Sequence, residues 1–362
     1  MKKTIYLAAI AIIAASCSGG EQGHYDGSAS ALMERMQQSV EKDIIMYGHQ
    51  DDLMYGHSWK LEADDSTYLR SDVKEVSGMY PAVYGLDLGG IELGNESNLD
   101  NNPFAAMRAT ALAHHLRGGI VTFSWHPRNP FTEGDAWDVT STETVASVLP
   151  GGQCHGLFKE WLCRVADYFD TFRTDDGQLI PIIFRPWHEH TGSWFWWGRD
   201  LCTAEQYKAL WKMTFDYLST ERGLHNLIWS YSPGAGGITE ELYLERWPGD
   251  EMVDMIGVDC YQYNTAEDFT AELRNALDIM LKLGKEHSKL LAVTEAGYES
   301  LVQSDWWTGC LYPAIRDYPL VYVLTWRNAC DNPTHFYAPY PGQASAEDFR
   351  TFASLEGVGM IE

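Results

Sequence analysis

Two glutamates stand out in the sequence because each follows a short apolar run and lies among aromatic and basic residues. Glu189 is part of RPWHEHTGSWFWWG, and Glu295 is part of TEAG. Two carboxyl groups about 5–5.5 Å apart can cleave a glycosidic bond with retention, one as an ionised nucleophile and one as a proton donor with a raised pKa. Either glutamate alone could instead form a structural ion pair, for which Arg185 and Arg327 are available.

The histidines on either side of Glu189 raise the alternative of a metal site. Successive residues of an extended segment point to opposite faces, so His188, Glu189 and His190 converge on one point only if the strand ends in a bulge. The HEH triplet also lacks the i, i+4 spacing of a helical metal motif. We therefore predict that the protein uses neither a metal ion nor another cofactor.

Eight short apolar runs, rich in Ile, Val, Leu and Tyr, predict buried strands that could position the two glutamates. Amphipathic helices separate most of them. In the clearest helix, 203–222, Thr203 and Gln206 predict a capping box and Gly223 predicts the end. The predicted strands are residues 44–47, 82–86, 120–124, 179–184, 227–230, 255–258, 290–293 and 321–325.

This alternation predicts a single (β/α)8 TIM barrel, in which the active site lies at the carboxyl ends of the strands. A doubly wound sheet is the alternative, but no GxGxxG motif follows the first strand. Glu189 and Glu295 follow the fourth and seventh strands, so they can meet across the mouth of a closed barrel. The segment 125–155, with three prolines and a Gly-Gly pair, predicts a long loop after the third strand.

The composition is that of a folded, soluble protein, since 45% of the 362 residues are hydrophobic and 21% are charged. With 26 Lys and Arg against 51 Asp and Glu, the net charge of −25 argues against a nucleic-acid partner, because phosphate binding needs a positive surface. The 14 Trp and 20 Tyr suit stacking against the C–H faces of sugar rings. A Trp-rich core is the alternative explanation.

The first residues carry an export pattern. Residues 1–16 combine two lysines with an apolar run too short to span a bilayer, and the small residues before Cys17 resemble a bacterial lipobox. We predict a signal peptide over 1–16, a lipidated Cys17 with a short polar tether over 17–29, and the catalytic domain over 30–362. Plain secretion with a chance cysteine is the alternative.

The same pattern predicts an exported lipoprotein that a lipid anchors to the outer membrane. Glu21 is the one acidic residue just after Cys17, which favours the periplasmic side over the cell surface. An exported compartment permits disulfides, but the six further cysteines form no CxxC pair. The sequence does not decide between disulfides and free thiols.

Five segments together are similar to glycoside hydrolase family 26, whose members are mostly β-mannanases with a (β/α)8 barrel and a retaining mechanism. The resemblance covers the mature chain from the first predicted strand to the last helix. The segments are GHQDDLMYGHSW (48–59), RPWHEHTGSWFWWG (185–198), VDCYQ (258–262), TEAG (294–297) and HFYAPYPGQASAEDF (335–349).

The resemblance implies the catalytic roles. Glu189 matches the acid/base of the family, and Glu295 matches its nucleophile. His188 matches a histidine that contacts the sugar beside the scissile bond, and Tyr261 matches a tyrosine that donates a hydrogen bond to the nucleophile. Such a donor favours the carboxylate anion.

The resemblance also implies which residues surround the sugar. Arg185 and Asp259 match polar residues behind the catalytic pair. His126 and Trp326 match the walls and floor of the −1 subsite, and Trp194 matches a +1 platform under the leaving portion. Trp194 could instead belong to the core.

Together, the residues and the resemblance imply a monomeric, retaining endo-β-1,4-mannanase that acts on mannan, glucomannan or galactomannan. Three alternatives stay open: a family-related enzyme for a β-glucan or β-xylan, an enzyme that releases mannobiose from a chain end, and a glycan-binding lipoprotein without catalysis. The last would need no carboxylate pair, so Glu189 and Glu295 argue against it.

Overall fold

The computed structural model describes residues 25–62 and 65–362. The predicted signal peptide and Cys17 lie outside these residues. The helices are α1 (Gly27–Glu41), α2 (Asp72–Ser77), α3 (Phe104–Leu116), α4 (Thr144–Val148), α5 (His155–Phe169), α6 (Ala204–Phe215), α7 (Glu240–Glu245), α8 (Ala266–Glu286), α9 (Tyr312–Ile315) and α10 (Ala346–Ala353). The strands are β1 (Ile45–Gln50), β2 (Tyr55–Gly56), β3 (Trp59–Lys60), β4 (Tyr80–Pro81), β5 (Val83–Asp87), β6 (Ile120–Ser124), β7 (Ile182–Arg185), β8 (Leu227–Tyr231), β9 (Met255–Tyr261), β10 (Leu290–Gly297), β11 (Leu320–Thr325) and β12 (Val358–Ile361).

Eight parallel strands close into a barrel in the order β1, β5, β6, β7, β8, β9, β10 and β11. The barrel closes because β11 pairs with β1, with Met46 opposite Tyr322 and His49 opposite Thr325. The predicted (β/α)8 TIM barrel is therefore confirmed, and each predicted strand forms one barrel strand. The long loop after the third barrel strand is also present, and it contains one short helix, α4.

The fourth barrel strand is shorter than the sequence predicts. Strand β7 begins at Ile182 rather than at residue 179. Pro181 has no N–H for a ladder hydrogen bond, and Leu179 pairs instead with Arg173 in an isolated antiparallel bridge. The chain therefore enters this strand from a small hairpin.

The predicted helix over 203–222 forms as α6. Thr203 and Gln206 make the predicted capping box, each side chain bonding to the backbone N–H of the other. The helix then continues as a π-helix over Asp216–Glu221. Gly223 follows with a φ of +67°, a left-handed conformation that glycine adopts without steric cost.

Helix α1 covers the amino ends of the barrel strands. Its buried face consists of Leu32, Met36 and Val40 with Ala29. This face shares an apolar cluster with residues near the start of several barrel strands, such as Ile183. The amino end of the barrel is therefore closed by apolar side chains, and the carboxyl end is left for polar groups.

The start of α1 differs from the predicted domain boundary at residue 30. The helix begins at Gly27, inside the segment predicted as a tether. Asp26 caps it by accepting hydrogen bonds from the N–H groups of Ser28 and Ala29. The polar residues at the end of the predicted tether are thus a helix cap and first turn.

Most of the tryptophans belong to the core. Eight of the fourteen are fully buried, so a Trp-rich core explains most of the unusual Trp content. Trp137 and Trp194 are the large exposed ones, at 48% and 47%. The fully buried residues are Trp125, Trp187, Trp196, Trp197, Trp211, Trp229, Trp306 and Trp307.

Two further observations bear on the export predictions. The six cysteines that follow Cys17 all lie in the described part of the chain, and all six are free thiols. Within residues 25–62 and 65–362, each helix is too short or too polar to cross a bilayer.

Candidate active site

Glu295 lies near the end of β10, where a bulge between Val293 and Glu295 shifts the pairing with β9. Its carboxylate is almost fully buried, and each oxygen accepts a hydrogen bond. Arg185 at the end of β7 donates to Oε1. The hydroxyl of Tyr261 at the end of β9 donates to Oε2 at 2.6 Å. Donors from two other strands therefore fix the orientation of this carboxylate.

Arg185 connects Glu295 to a second buried carboxylate. It donates to Asp259 Oδ2 at 2.9 Å, and Asp259 also accepts hydrogen bonds from Thr294 at 2.6 Å and Ser232 at 3.3 Å. Burial raises the pKa of Asp259, and the charge of Arg185 opposes that rise. Burial alone would lower the pKa of Arg185, but the carboxylates of Asp259 and Glu295 raise it. Arg185 is therefore a fixed cation behind Glu295.

Glu189 lies in an irregular segment that begins where β7 ends. Trp187 and Glu189 have left-handed backbone conformations, with φ of +54° and +52°. Such a conformation costs a residue other than glycine about 1–3 kcal/mol. The N–H of Glu189 donates to the Ser232 carbonyl at 2.8 Å, and the Trp197 indole donates to the His188 carbonyl at 2.8 Å. These hydrogen bonds hold the segment in a shape that a strand could not adopt.

The surroundings of Glu189 favour its protonated form. Burial raises the pKa of Glu189 well above its ordinary value, and the negative charges of Glu295 and Asp259 raise it further. The indole N–H of Trp194 donates to Oε2 at 2.7 Å and opposes this rise. A carboxyl group kept in its acid form beside a carboxylate with two donors is the pairing that cleavage of a glycosidic bond needs.

His126 and His188 form a pair beside Glu295. Their Nε2 atoms are 3.1 Å apart, His126 Nδ1 is 2.7 Å from Asp87 Oδ2, and His188 Nε2 is 4.0 Å from Glu295 Oε1. Burial would lower the pKa of His126, but the Asp87 carboxylate raises it. Burial and then the charge of Arg185 lower the pKa of His188. Asp87 therefore favours the charged form of His126, whereas burial and Arg185 favour the neutral form of His188.

Aromatic rings complete the set of side chains around Glu189 and Glu295. Trp326 follows β11, and its ring centroid lies 6.4 Å from that of His126. Phe195 lies between Trp194 and His188, with centroid distances of 6.3 and 5.2 Å. The two glutamates and the seven side chains predicted around them thus form one connected cluster at the carboxyl end of the barrel.

The exposure of Trp194 separates it from its neighbours in the sequence. Its side chain is 47% exposed, which argues against a place in the core. Trp196 and Trp197 are fully buried. The run of aromatics after Glu189 therefore contributes one indole to the open cleft and two to the core beneath it.

Two side chains of the site, Asp87 and Trp137, were not predicted from the sequence. Asp87 ends β5 and accepts hydrogen bonds from Ser124 at 2.6 Å and from His126. Its position at the carboxyl end of the second barrel strand was an available signal. Trp137 lies in the long loop and stacks on His126, with centroids 5.3 Å apart and ring planes 13° apart. No pattern within the loop indicates where this ring lies.

The HEH triplet does not gather around a metal ion. Within residues 25–62 and 65–362, no three or more His, Cys, Asp or Glu side chains are arranged to hold one. His190 is fully buried between Tyr207 and Tyr231, with centroid distances of 4.6 and 4.7 Å. His188 faces Glu295 instead, so the two histidines point to different places.

Comparison with known proteins finds relatives that share this barrel. The profile of Glycosyl hydrolase family 26 matches residues 25–302. A solved β-mannanase of that family from Bacteroides ovatus is 48% identical with a TM-score of 0.89, over 92% of this chain and 95% of the other. An endo-β-1,4-mannanase from Cellulomonas fimi is 33% identical with a TM-score of 0.82, over 93% of this chain and 76% of the other.

A longer relative is also similar to the chain. A mannan endo-1,4-beta-mannosidase from Bifidobacterium adolescentis is 34% identical over 316 residues, which cover 80% of this chain and 31% of that protein. The chain therefore spans about a third of the length of this relative.

Proposed function

Because this chain belongs to glycosyl hydrolase family 26, we propose that it is a retaining endo-β-1,4-mannanase that hydrolyses mannan, glucomannan or galactomannan. The observation that carries the proposal is the contrast between two carboxyl groups in one cleft. Glu295 is bound by Arg185 and Tyr261, whereas Glu189 has a raised pKa. The β-mannanases from Bacteroides ovatus and Bifidobacterium adolescentis support the choice of β-mannan as the substrate.

The two glutamates divide the reaction between them. In the first step, Glu189 gives its proton to the glycosidic oxygen while Glu295 attacks the anomeric carbon, so that the bond to the leaving oxygen breaks and a bond to Glu295 forms. In the second step, Glu189 takes a proton from water, whose oxygen attacks the same carbon and releases Glu295. Each cleavage consumes one water molecule and retains the anomeric configuration.

The surrounding side chains suit an uncharged sugar chain. In the proposed enzyme His126, His188 and Trp326 are the residues of the −1 subsite: His188 lies 4.0 Å from Glu295, and His126 contacts both His188 and Trp326. Trp194, which is bonded to Glu189, offers an exposed indole face to the sugar on the leaving side. A net charge of −25 would repel an acidic polymer but not a neutral polysaccharide such as mannan.

Product analysis on a panel of soluble polysaccharides tests the proposal. We expect reducing sugars from mannan, glucomannan and galactomannan, a rapid fall in viscosity, and a β-anomer as the first product by NMR. Glu295→Ala, purified in the same way, is the control for contaminating activity. Hydrolysis of β-glucan or β-xylan but not of the mannans would show that one of those polysaccharides is the substrate instead. Mannobiose release without a fall in viscosity would show that the enzyme cleaves at chain ends and not internally. If no glycan were hydrolysed, the proposed function would be contradicted.

We further propose that the protein is a monomeric lipoprotein, anchored through Cys17 on the periplasmic side of the outer membrane. The small residues before Cys17 support the lipid anchor, and the single acidic residue just after it, Glu21, supports the periplasmic side. One acyl chain gives only marginal membrane binding, so stable anchoring needs more than one. The diacylglyceryl group of a bacterial lipoprotein meets that need.

Cell fractionation tests the anchor. We expect the native protein to sediment with membranes and Cys17→Ala to be released or left unprocessed, because the lipid would be absent. Wild-type protein in the soluble fraction would contradict the anchor. Digestion by a protease added to intact cells would contradict the periplasmic side, and a dimer in sedimentation equilibrium would contradict the monomer.

A further inference from the structure

Trp194 is partly exposed to solvent and is also hydrogen-bonded to Glu189, the proposed acid/base. Its indole Nε1 lies 2.7 Å from Glu189 Oε2, although nearly half of the side chain is exposed. The indole N–H can only donate, and the carbonyl oxygen of a protonated carboxyl group is a stronger acceptor than its hydroxyl oxygen. The contact with Oε2 therefore favours the carboxyl proton on Oε1.

We propose that Trp194 is a positioning residue for the reaction, whose N–H selects the oxygen of Glu189 that carries the catalytic proton. This inference rests on the proposed function, in which Glu189 is the acid/base. It gives Trp194 a second task beside contact with the leaving sugar. Leaving-group binding and proton delivery would then share one side chain.

The backbone beneath the indole is shaped to hold it in this position. A Cβ added at Gly192 would lie 2.2 Å from ring atoms Cη2 and Cζ3 of Trp194, and one at Gly234 would lie 3.9 Å from Cη2. The ring therefore rests against the bare α-carbon of Gly192. The N–H of Gly192 also donates to the Glu189 carbonyl at 2.9 Å, and this tight turn lets Trp194 fold back onto the carboxyl group.

A buried arginine anchors the loop that carries Trp194. Arg246 is 2% exposed and donates to three backbone carbonyls, those of Trp197 at 3.1 Å, Arg199 at 2.8 Å and Cys202 at 2.6 Å. These bonds hold the segment after Trp194 in one arrangement. The indole N–H is therefore presented from a fixed base, as a positioning role requires.

Other charged and ionisable groups act on Glu189, but a substitution at Trp194 leaves their chemical identity unchanged. Burial is the largest cause of the raised pKa, the two carboxylates raise it further, and the arginine lowers it. A change in pH dependence on removal of the indole N–H therefore reports on that one bond. The groups are Glu295, Asp259, Arg185, Tyr261 and Tyr263.

The sign of the effect follows from the form that the N–H stabilises. A donor stabilises the carboxylate more than the neutral acid, so Trp194 lowers the pKa of Glu189. The first chemical step needs the acid form, so activity falls as the pH rises through this pKa. Loss of the N–H should therefore move the alkaline limb of the kcat/KM profile to higher pH.

Trp194→Phe keeps an aromatic face for the sugar and removes the N–H. We expect the alkaline limb of kcat/KM on soluble mannan to move up by roughly half a unit to one unit. Trp247→Phe is the matched control, because it also removes an indole N–H that donates to a carboxylate, that of Asp250 at 3.0 Å, and Trp247 lies beside His287, which precedes the amino end of β10. Its alkaline limb should stay at the wild-type position.

An alkaline limb that stays in place or moves down in folded Trp194→Phe would overturn the inference while mannan hydrolysis itself persists. A wild-type protein that fails to cleave mannan would overturn the proposed function instead. Should Trp194→Phe not fold by circular dichroism, Gly192→Ala decides, because its methyl group would displace the indole. An upward shift in that variant supports the inference, and an unchanged limb contradicts it.

Discussion

The two glutamates follow two strands of the same barrel, yet their surroundings differ. Glu295 lies within β10, and donors from two other strands occupy both of its oxygens. Glu189 lies beyond the end of β7 in a left-handed backbone conformation, and one indole from the same loop binds its carboxyl group. The barrel positions the first carboxylate, whereas a loop positions the second.

This difference suits the two tasks in the proposed reaction. A nucleophile needs one charge state and one orientation, and side chains on rigid strands provide both. An acid/base must lose and regain a proton in every cycle, so one of its oxygens must stay open to the leaving group and then to water. Both oxygens of Glu295 accept hydrogen bonds from the protein. Glu189 has one such donor, so its other oxygen is left for proton transfer.

The largest effect is expected at the carboxylate that the strands hold. Glu295→Ala should lower kcat/KM for mannan and for activated aryl mannosides alike, by at least about 10⁴-fold, because the covalent bond to the sugar can no longer form. Steady-state kinetics on both substrates check this. Aryl mannoside hydrolysis near the wild-type rate would remove Glu295 from the role of nucleophile.

A smaller and more selective loss is expected at the carboxyl group that the loop holds. Glu189→Ala should slow hydrolysis of polymeric mannan by roughly 10²–10⁴-fold, because the leaving oxygen receives no proton. An aryl mannoside with a good leaving group should still form the glycosyl-enzyme, seen as a burst of phenol, and azide should restore turnover. Cleavage of mannan at the parent rate would show that Glu189 is not the acid.

Removing one of the two donors to Glu295 tests whether its orientation matters. Tyr261→Phe should reduce kcat by roughly tenfold to a hundredfold, the worth of one hydrogen bond to a charged group. Tyr263→Phe is the control, since Tyr263 is 85% exposed and lies beside Tyr261 with ring centroids 6.2 Å apart. Equal rates for the two variants would argue that one donor is enough.

The smallest effect is expected from loss of the exposed indole face on long substrates. Trp194→Ala should raise KM for mannotriose severalfold, roughly the worth of one aromatic contact, and should raise it less for mannohexaose, which retains other subsites. Measurements across an oligosaccharide series check this. A loss of the same size at every chain length would indicate a structural role for Trp194.

The barrel was predictable from the sequence because its strands are short apolar runs between amphipathic helices. Every residue of the eight barrel strands except Tyr261 at the end of β9 is buried, so the apolar composition of each strand marks it clearly. The carboxyl ends of these runs then indicated most of the site. Asp87 also lies at the carboxyl end of a predicted barrel strand, so it too was predictable from the sequence.

Other parts of the site depend on contacts that no local pattern encodes. The left-handed conformations at Trp187 and Glu189 occur without a glycine, because hydrogen bonds from distant residues hold them. Trp137 reaches His126 from a long loop whose path depends on tertiary packing. The high Trp content was ambiguous for a similar reason, since the same residue type serves the core at Trp196 and the cleft at Trp194.

Helix α1 closes the end of the barrel opposite the cleft, and this has a consequence for how an anchored molecule would face its membrane. Nine residues, 18–26, separate Cys17 from the first residue of α1, and nine residues span at most about 30 Å. With the proposed lipid on Cys17, this span places the closed end of the barrel within reach of the bilayer, and the cleft lies at the opposite end. A polysaccharide chain can then reach the catalytic glutamates from the aqueous side, without entering the gap between enzyme and lipid.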